Sequence, residues 1–180
     1  MNREDLVGFL IENGRRWVES QRDLHRSSAR ALSESERSEL APFFEPKTLN
    51  RARVKVVPTI ESPEFYSVLP DEANADLLLT FNRMTGITFE NTILISKSQM
   101  PFRTQLLPLL FHELVHVVQY EVLGLHAFME RYVRGWAENG FIYHAIPLER
   151  DAYELQEQYE VNPRLSFSVT EETRRRLGFY

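Results

Sequence analysis

The chain has 180 residues, 43% of them hydrophobic and 26% charged, with a formal net charge of −5 and no cysteine. Such a chain is long and apolar enough for one folded domain with a core, which excludes a disordered or fibrous protein. The acidic balance argues against a general nucleic-acid binder, and the missing thiols exclude a disulfide scaffold, a thiolate zinc finger and a cysteine nucleophile. Any bound metal must then be held by His, Asp or Glu.

The first twenty residues carry charges where a signal peptide would need an unbroken apolar run. Leu6, Phe9, Leu10, Trp17 and Leu24 form an intermittent apolar stripe that predicts surface helix, with Gly14 as a break. Ser33 and Glu36 have capping-box spacing before a short helix that stops at Pro42. Residues 51–60 alternate as a strand does, and Pro58 confines the end of that strand to an edge. Ser62, Pro63 and Glu64 read as a helix start. Residues 75–84 favour a helix ended by Gly86, and the β-branched run from Ile87 to Ser96 reads as one strand.

The next helix is expected from Thr104, as cap, to Gly124, as a left-handed stop. Leu106, Leu110, Phe111, Leu114, Val115 and Val118 make it apolar on nearly every side, the pattern of a helix at the centre of a domain. Its stretch from Leu106 to Val122 is too interrupted by His112, Glu113, His116, Gln119 and Glu121 to span a bilayer. Further helices are predicted over 127–138, from Pro147 to about Glu160, and over 171–177. With no repeat and no convincing linker, the reading is a single domain over 1–180, α+β and mostly helical, soluble and cytoplasmic.

Within the central helix stands His112-Glu113-Leu114-Val115-His116, an HExxH pattern. Residues four apart lie one turn above each other, so both imidazoles project from one face and can share one ion. Glu113 is rotated about 100° from His112, where it borders the same face and can reach a water beside the ion without being a ligand. Two His and a Glu in an apolar helix would carry a large desolvation cost without partners, and a Zn²⁺ ion supplies that compensation.

LLFHELVHVVQYEVLG resembles the active-site helix of HExxH zinc metallopeptidases (zincins), in particular small bacterial putative peptidases with a HELxHVxQ core. The resemblance covers about residues 86–160, leaving residues 1–50 as an N-terminal helical extension. It implies a zincin-like fold, proteolytic chemistry and a peptide or protein substrate, with no nucleic acid or membrane span involved. It also implies a strand, matched by GITFENTILIS, on the edge of a small sheet beside a cleft above the motif helix. The metzincin extension fails, since Gln119 and Val122 stand where a Gly and a third His are needed.

The gluzincin-like arrangement draws its third ligand from a Glu on a later helix, and Glu149, at the edge of a stripe formed by Leu148, Ala152, Leu155 and Tyr159, is the candidate. His126, His144, Glu138 and Asp151 are its rivals. The resemblance leads one to expect an Asp four residues after that Glu; this chain has Tyr153. Tyr153 is therefore a candidate donor to a tetrahedral oxyanion, with Tyr120 and Tyr143 as competitors, and His144 is a candidate group facing the substrate. Gln119 shares the ligand face, where it is equally placed to support a ligand or to be plain polar surface. The run Arg131, Tyr132, Arg134 and Trp136 reads either as a binding face for an anionic substrate group or as a solvated face with a core Trp. The alternative to an enzyme is a zincin-like binding module without turnover; a metal-free helical interaction domain is the third.

Overall fold

A computed structural model of the chain describes residues 2–68, 81, 83–99 and 106–179. The predicted helix over 75–84, apart from Phe81, Arg83 and Met84, and the Thr104 cap lie outside them. The described elements are α1 (Arg3–Arg26), α2 (Glu34–Leu40), α3 (Pro46–Arg51), β1 (Arg53–Val57), β2 (Gly86–Phe89), β3 (Thr92–Ser96), α4 (Leu106–Glu138), α5 (Pro147–Val161) and α6 (Val169–Leu177). The fold is thus α+β and mostly helical around one small sheet.

The sheet has the order β1-β3-β2, with β3 parallel to β1 and antiparallel to β2. The single strand expected over 87–96 is therefore a hairpin. Its turn, Glu90-Asn91, puts Glu90 at φ +54°, a conformation more usual for Gly or Asn. Neither turn residue interrupts the flanking apolar runs as a Gly or Pro would, so the reversal has little sequence signature. The outer edge of β1 is bridged by Arg30, which exchanges backbone hydrogen bonds with Val54. β3 is central and buried throughout. The open edge among the described residues is β2.

The central helix α4 is buried as its all-round apolarity requires. On one side Phe111 stacks on Tyr159 at 4.6 Å between ring centroids, and Phe43 and Phe44 pack edge-on against it. Leu110, Leu114 and Val118 share this half of the core with Ile93 and Ile95 of β3 and with Leu155 of α5. Phe128, Met129 and Val133 belong to a second half, which α1 closes with Val7, Leu10 and Val18. The most apolar part of α4 is mostly buried in the protein, as in a core helix.

Two glycines shape this arrangement. Gly124 has φ +74° and ψ 161°, which breaks α4 into two segments where a helix stop was expected. That backbone conformation is essentially confined to glycine. Gly14, by contrast, does not break α1, which is helical from Arg3 to Arg26. It marks close packing instead: a Cβ there would lie 2.6 Å from Cε of Met129. Elsewhere the local signals hold. Ser33 and Glu36 complete their reciprocal capping box, and Pro147 occupies the first turn of α5. α3, with Pro46 in its first turn, lies where no element is predicted, and the helix expected after Ser62-Pro63-Glu64 is a short 3₁₀ turn, Glu64–Val68.

Candidate metal centre

The first segment of α4 brings His112 and His116 together one turn apart, and the first turn of α5 aims Glu149 at them. Their Nε2 atoms are 3.1 Å apart, and Oε2 of Glu149 lies 3.4 Å from that of His112 and 3.3 Å from that of His116. All three residues are buried. Among the described residues they form a group whose geometry suits a metal ion. Donor atoms held at about 2.0–2.1 Å around a tetrahedral ion are separated by roughly 3.3–3.4 Å, so the triangle matches that coordination. Oε2 of Glu149 has no well-directed hydrogen bond despite its burial. An isolated carboxylate oxygen aimed between two imidazoles is an expensive arrangement unless a cation completes it.

The neighbours of the triangle fix its orientation. Nδ1 of His116 lies 2.8 Å from Oε1 of Gln119, and the Gln119 amide nitrogen donates to the carbonyl of Leu148 at 2.9 Å. With its NH₂ committed to Leu148, Gln119 can offer His116 only an acceptor. In its neutral form His116 then carries its proton on Nδ1 and turns the Nε2 lone pair to the centre. Gln119 thus orients the His116 ring and also ties α4 to α5 beside Glu149. Tyr132 supports that carboxylate, its hydroxyl donating to Oε1 of Glu149 at 2.7 Å. No local pattern points to this role for Tyr132, because its approach depends on the break at Gly124. His112 differs: its buried Nδ1 has no partner. The ring packs instead against Tyr153, 4.5 Å between centroids.

Ligand support of this kind typically changes metal affinity by about 10–100-fold. For a metal ion held by the triangle, Tyr132→Phe is therefore expected to weaken binding by about that factor. Competition against a chromophoric chelator measures the change, and an unaltered affinity would leave Tyr132 a packing residue.

Glu113 sits differently. Thr88 of β2 donates its hydroxyl to Oε2 of Glu113 at 2.7 Å. The other carboxylate oxygen lies under Gly86, where a Cβ would approach it to 2.5 Å. Residues 86 and 88 point to the same side of a strand, so two β2 positions together make the bed for one carboxylate. Burial pushes the Glu113 carboxyl above its ordinary range, against the pull of the imidazoles and the Thr88 hydrogen bond. Burial also opposes ionisation of Glu149, but His116 and His112 outweigh it and hold that carboxyl well below the usual range. The same interaction seen from its other end raises His116: burial disfavours its cation, yet Glu149 prevails and the imidazole is pushed up to about 9. Two carboxylates within one site are thus driven in opposite directions.

The other expected groups are dispersed. His126, His144 and Glu138 are exposed, and Asp151 pairs with Arg176 at 3.0 Å. None joins the triangle. Tyr153 is 41% exposed, and the His144 ring lies 5.6 Å from its ring. Tyr153 therefore covers the outer side of His112, with His144 beyond it. Tyr143 is half-buried in the 3₁₀ turn just before α5, its ring 5.3 Å from that of His144. Tyr120 is buried and stacks on Phe128 at 3.6 Å. Of the run on the second segment of α4, Arg134 pairs with Glu4 and Glu130, each at 3.3 Å, and Arg131 donates to the carbonyl of Leu177. Those arginines serve packing between helices. No protein-family model, curated protein or solved structure matches the chain.

Proposed function

We propose that the protein is a zincin-like metallopeptidase in which His112, His116 and Glu149 hold Zn²⁺ and Glu113 is the general base. The observation that carries this reading is the triangle of three buried donor atoms, 3.1 to 3.4 Å apart, beside a second carboxyl group, Glu113, that is not part of it. A structural site needs its ligands alone; a hydrolytic one also needs a base. The histidine and carboxylate donors suit zinc, and three protein ligands leave a position open. Zinc bound there supplies Lewis acidity and makes water nucleophilic near neutral pH.

The chain's own residues account for the remaining steps. Glu113 accepts the proton of the attacking water and passes it to the leaving amine, a task suited to a carboxyl raised toward neutrality. Thr88 and Gly86 hold it in place. Glu149 stays ionised, as a ligand should, and the opposite displacement of the two carboxyls supports this division of roles. Tyr153 or Tyr143 is the candidate donor to the carbonyl oxygen as it gains charge. The backbone N–H of Ser96 donates to the carbonyl of Thr85 at 2.9 Å. Antiparallel alternation then turns the peptide groups of Gly86 and Thr88 toward the open edge of β2, where an extended substrate would pair. The predicted edge strand is thus narrowed from 87–96 to β2. The proposed location is the cytoplasm.

Metal analysis of the purified protein, followed by exposure of the zinc-loaded form to a broad peptide library, tests the proposal. One zinc per chain and cleavage that a chelator abolishes are expected. Zinc without cleavage would favour a binding module, and no zinc would remove the metal site altogether.

A further inference from the structure

A cavity of about 520 Å³ opens beside the triangle. It lies between α1, which contributes Leu6, Leu10 and Trp17, and the second segment of α4, which contributes Met129 and Trp136. Among its described lining residues, the side chains of the acidic, basic and histidine types are Glu113, His116 and Glu149, all members of the candidate centre. Every other stretch of its wall is apolar, aromatic or uncharged. At the rim, Phe141 and Ile142 are 41% and 59% exposed. A cavity of roughly 150 Å³ with apolar walls admits benzene. The present one is more than three times that volume, within the range of small-molecule pockets and well beyond the needs of one ring.

We propose that this cavity binds an extended apolar group of the substrate, placing it beside the amide at the metal centre. The ligand has one polar and one apolar end. Its amide meets Glu113 and the triangle, and its apolar part lies against α1 and the second segment of α4. That shared chemistry has two sources: adjoining large side chains of a peptide, or an acyl chain on an amide. The N-terminal helix thereby acquires a role in selectivity, since α1 forms one wall. The subsite rests on the hydrolase reading for its connection to cleavage, but its capacity to bind an apolar molecule does not.

Two measurements on the full-length protein separate these claims. The neutral fluorophore N-phenyl-1-naphthylamine, titrated into the metal-free protein, is expected to bind saturably at one site per chain. Leu6→Trp, which fills the cavity from α1, is expected to weaken this at least tenfold while leaving zinc stoichiometry intact; Leu6→Gln, which makes the same wall polar, should do likewise. Absence of saturable binding to the folded wild type, or binding indifferent to both variants, would overturn the subsite whatever the catalytic result.

In the zinc-loaded protein, a peptide with adjoining Phe and Leu and an alanine peptide carrying a decanoyl amide are compared with the plain alanine peptide. A gain in kcat/KM of at least tenfold for either one, lost in Leu6→Trp, is expected and identifies the source. Cleavage of all three at equal rates would overturn the inference but not the hydrolase. Cleavage of none of them, nor of any member of the peptide library, would overturn the hydrolase, and with it the substrate role of the cavity.

Discussion

Replacement of Glu113 by Gln is expected to keep zinc at one ion per chain and to reduce peptide turnover by about 100- to 10,000-fold, the usual contribution of a general base. The substitution is nearly isosteric. The Gln carbonyl can still accept from the Thr88 hydroxyl, which bonds to Oε2 at 2.7 Å, and the amide group fits the space left by Gly86. The exchange removes a charge that burial disfavours, without touching His112, His116 or Glu149. A carboxyl raised in the folded state makes its ionised form a liability to folding above its ordinary range. Near neutral pH the variant's unfolding midpoint should therefore equal or exceed that of the wild type. Undiminished kcat in the zinc-loaded, folded variant would remove Glu113 from the proton transfer. A loss of zinc would instead make Glu113 part of the ligand set.

The grouping of the candidate centre was legible from the chain where its parts obey local rules. His112, Glu113 and His116 are related by helical spacing alone, and burial follows from the apolar residues around them. Glu149 was singled out by the gluzincin-like resemblance, and a second local rule located it, since Pro147 fixes where α5 starts and the stripe through Leu148 and Ala152 fixes its inward edge. Tyr132 obeys no such rule. It lies 17 residues before Glu149, and its hydroxyl arrives there only because Gly124 turns the second segment of α4. The bed beneath Glu113 is equally non-local, with Gly86 and Thr88 coming from a strand 25 or more residues earlier. The hairpin was concealed because Glu90-Asn91 carries no glycine, so its apolar runs merge into one. The cavity depends on α1 docking across the chain, and no periodicity within α1 announces which surface it meets.

Replacement of Glu149 by Ala is expected to lower zinc affinity by well over 100-fold, more than a supporting group contributes. The truncation also leaves the buried Tyr132 hydroxyl without its acceptor, at a cost of about 1–3 kcal/mol in stability. Glu149→Gln separates the two effects. Its carbonyl can still receive the Tyr132 hydrogen bond, while its NH₂ cannot ligate a cation, so stability should recover relative to Ala and zinc affinity should not. Calorimetric zinc titration alongside thermal unfolding of the three proteins reads both quantities. Two histidines 3.1 Å apart remain a bidentate pair in either variant, so weak residual binding is compatible with the assignment. Wild-type affinity in both variants is not, because no other described carboxylate or imidazole belongs to the triangle. A parallel fall in affinity and stability for Ala, with recovery of both in Gln, would assign Glu149 to packing around Tyr132 and leave the ion to another ligand.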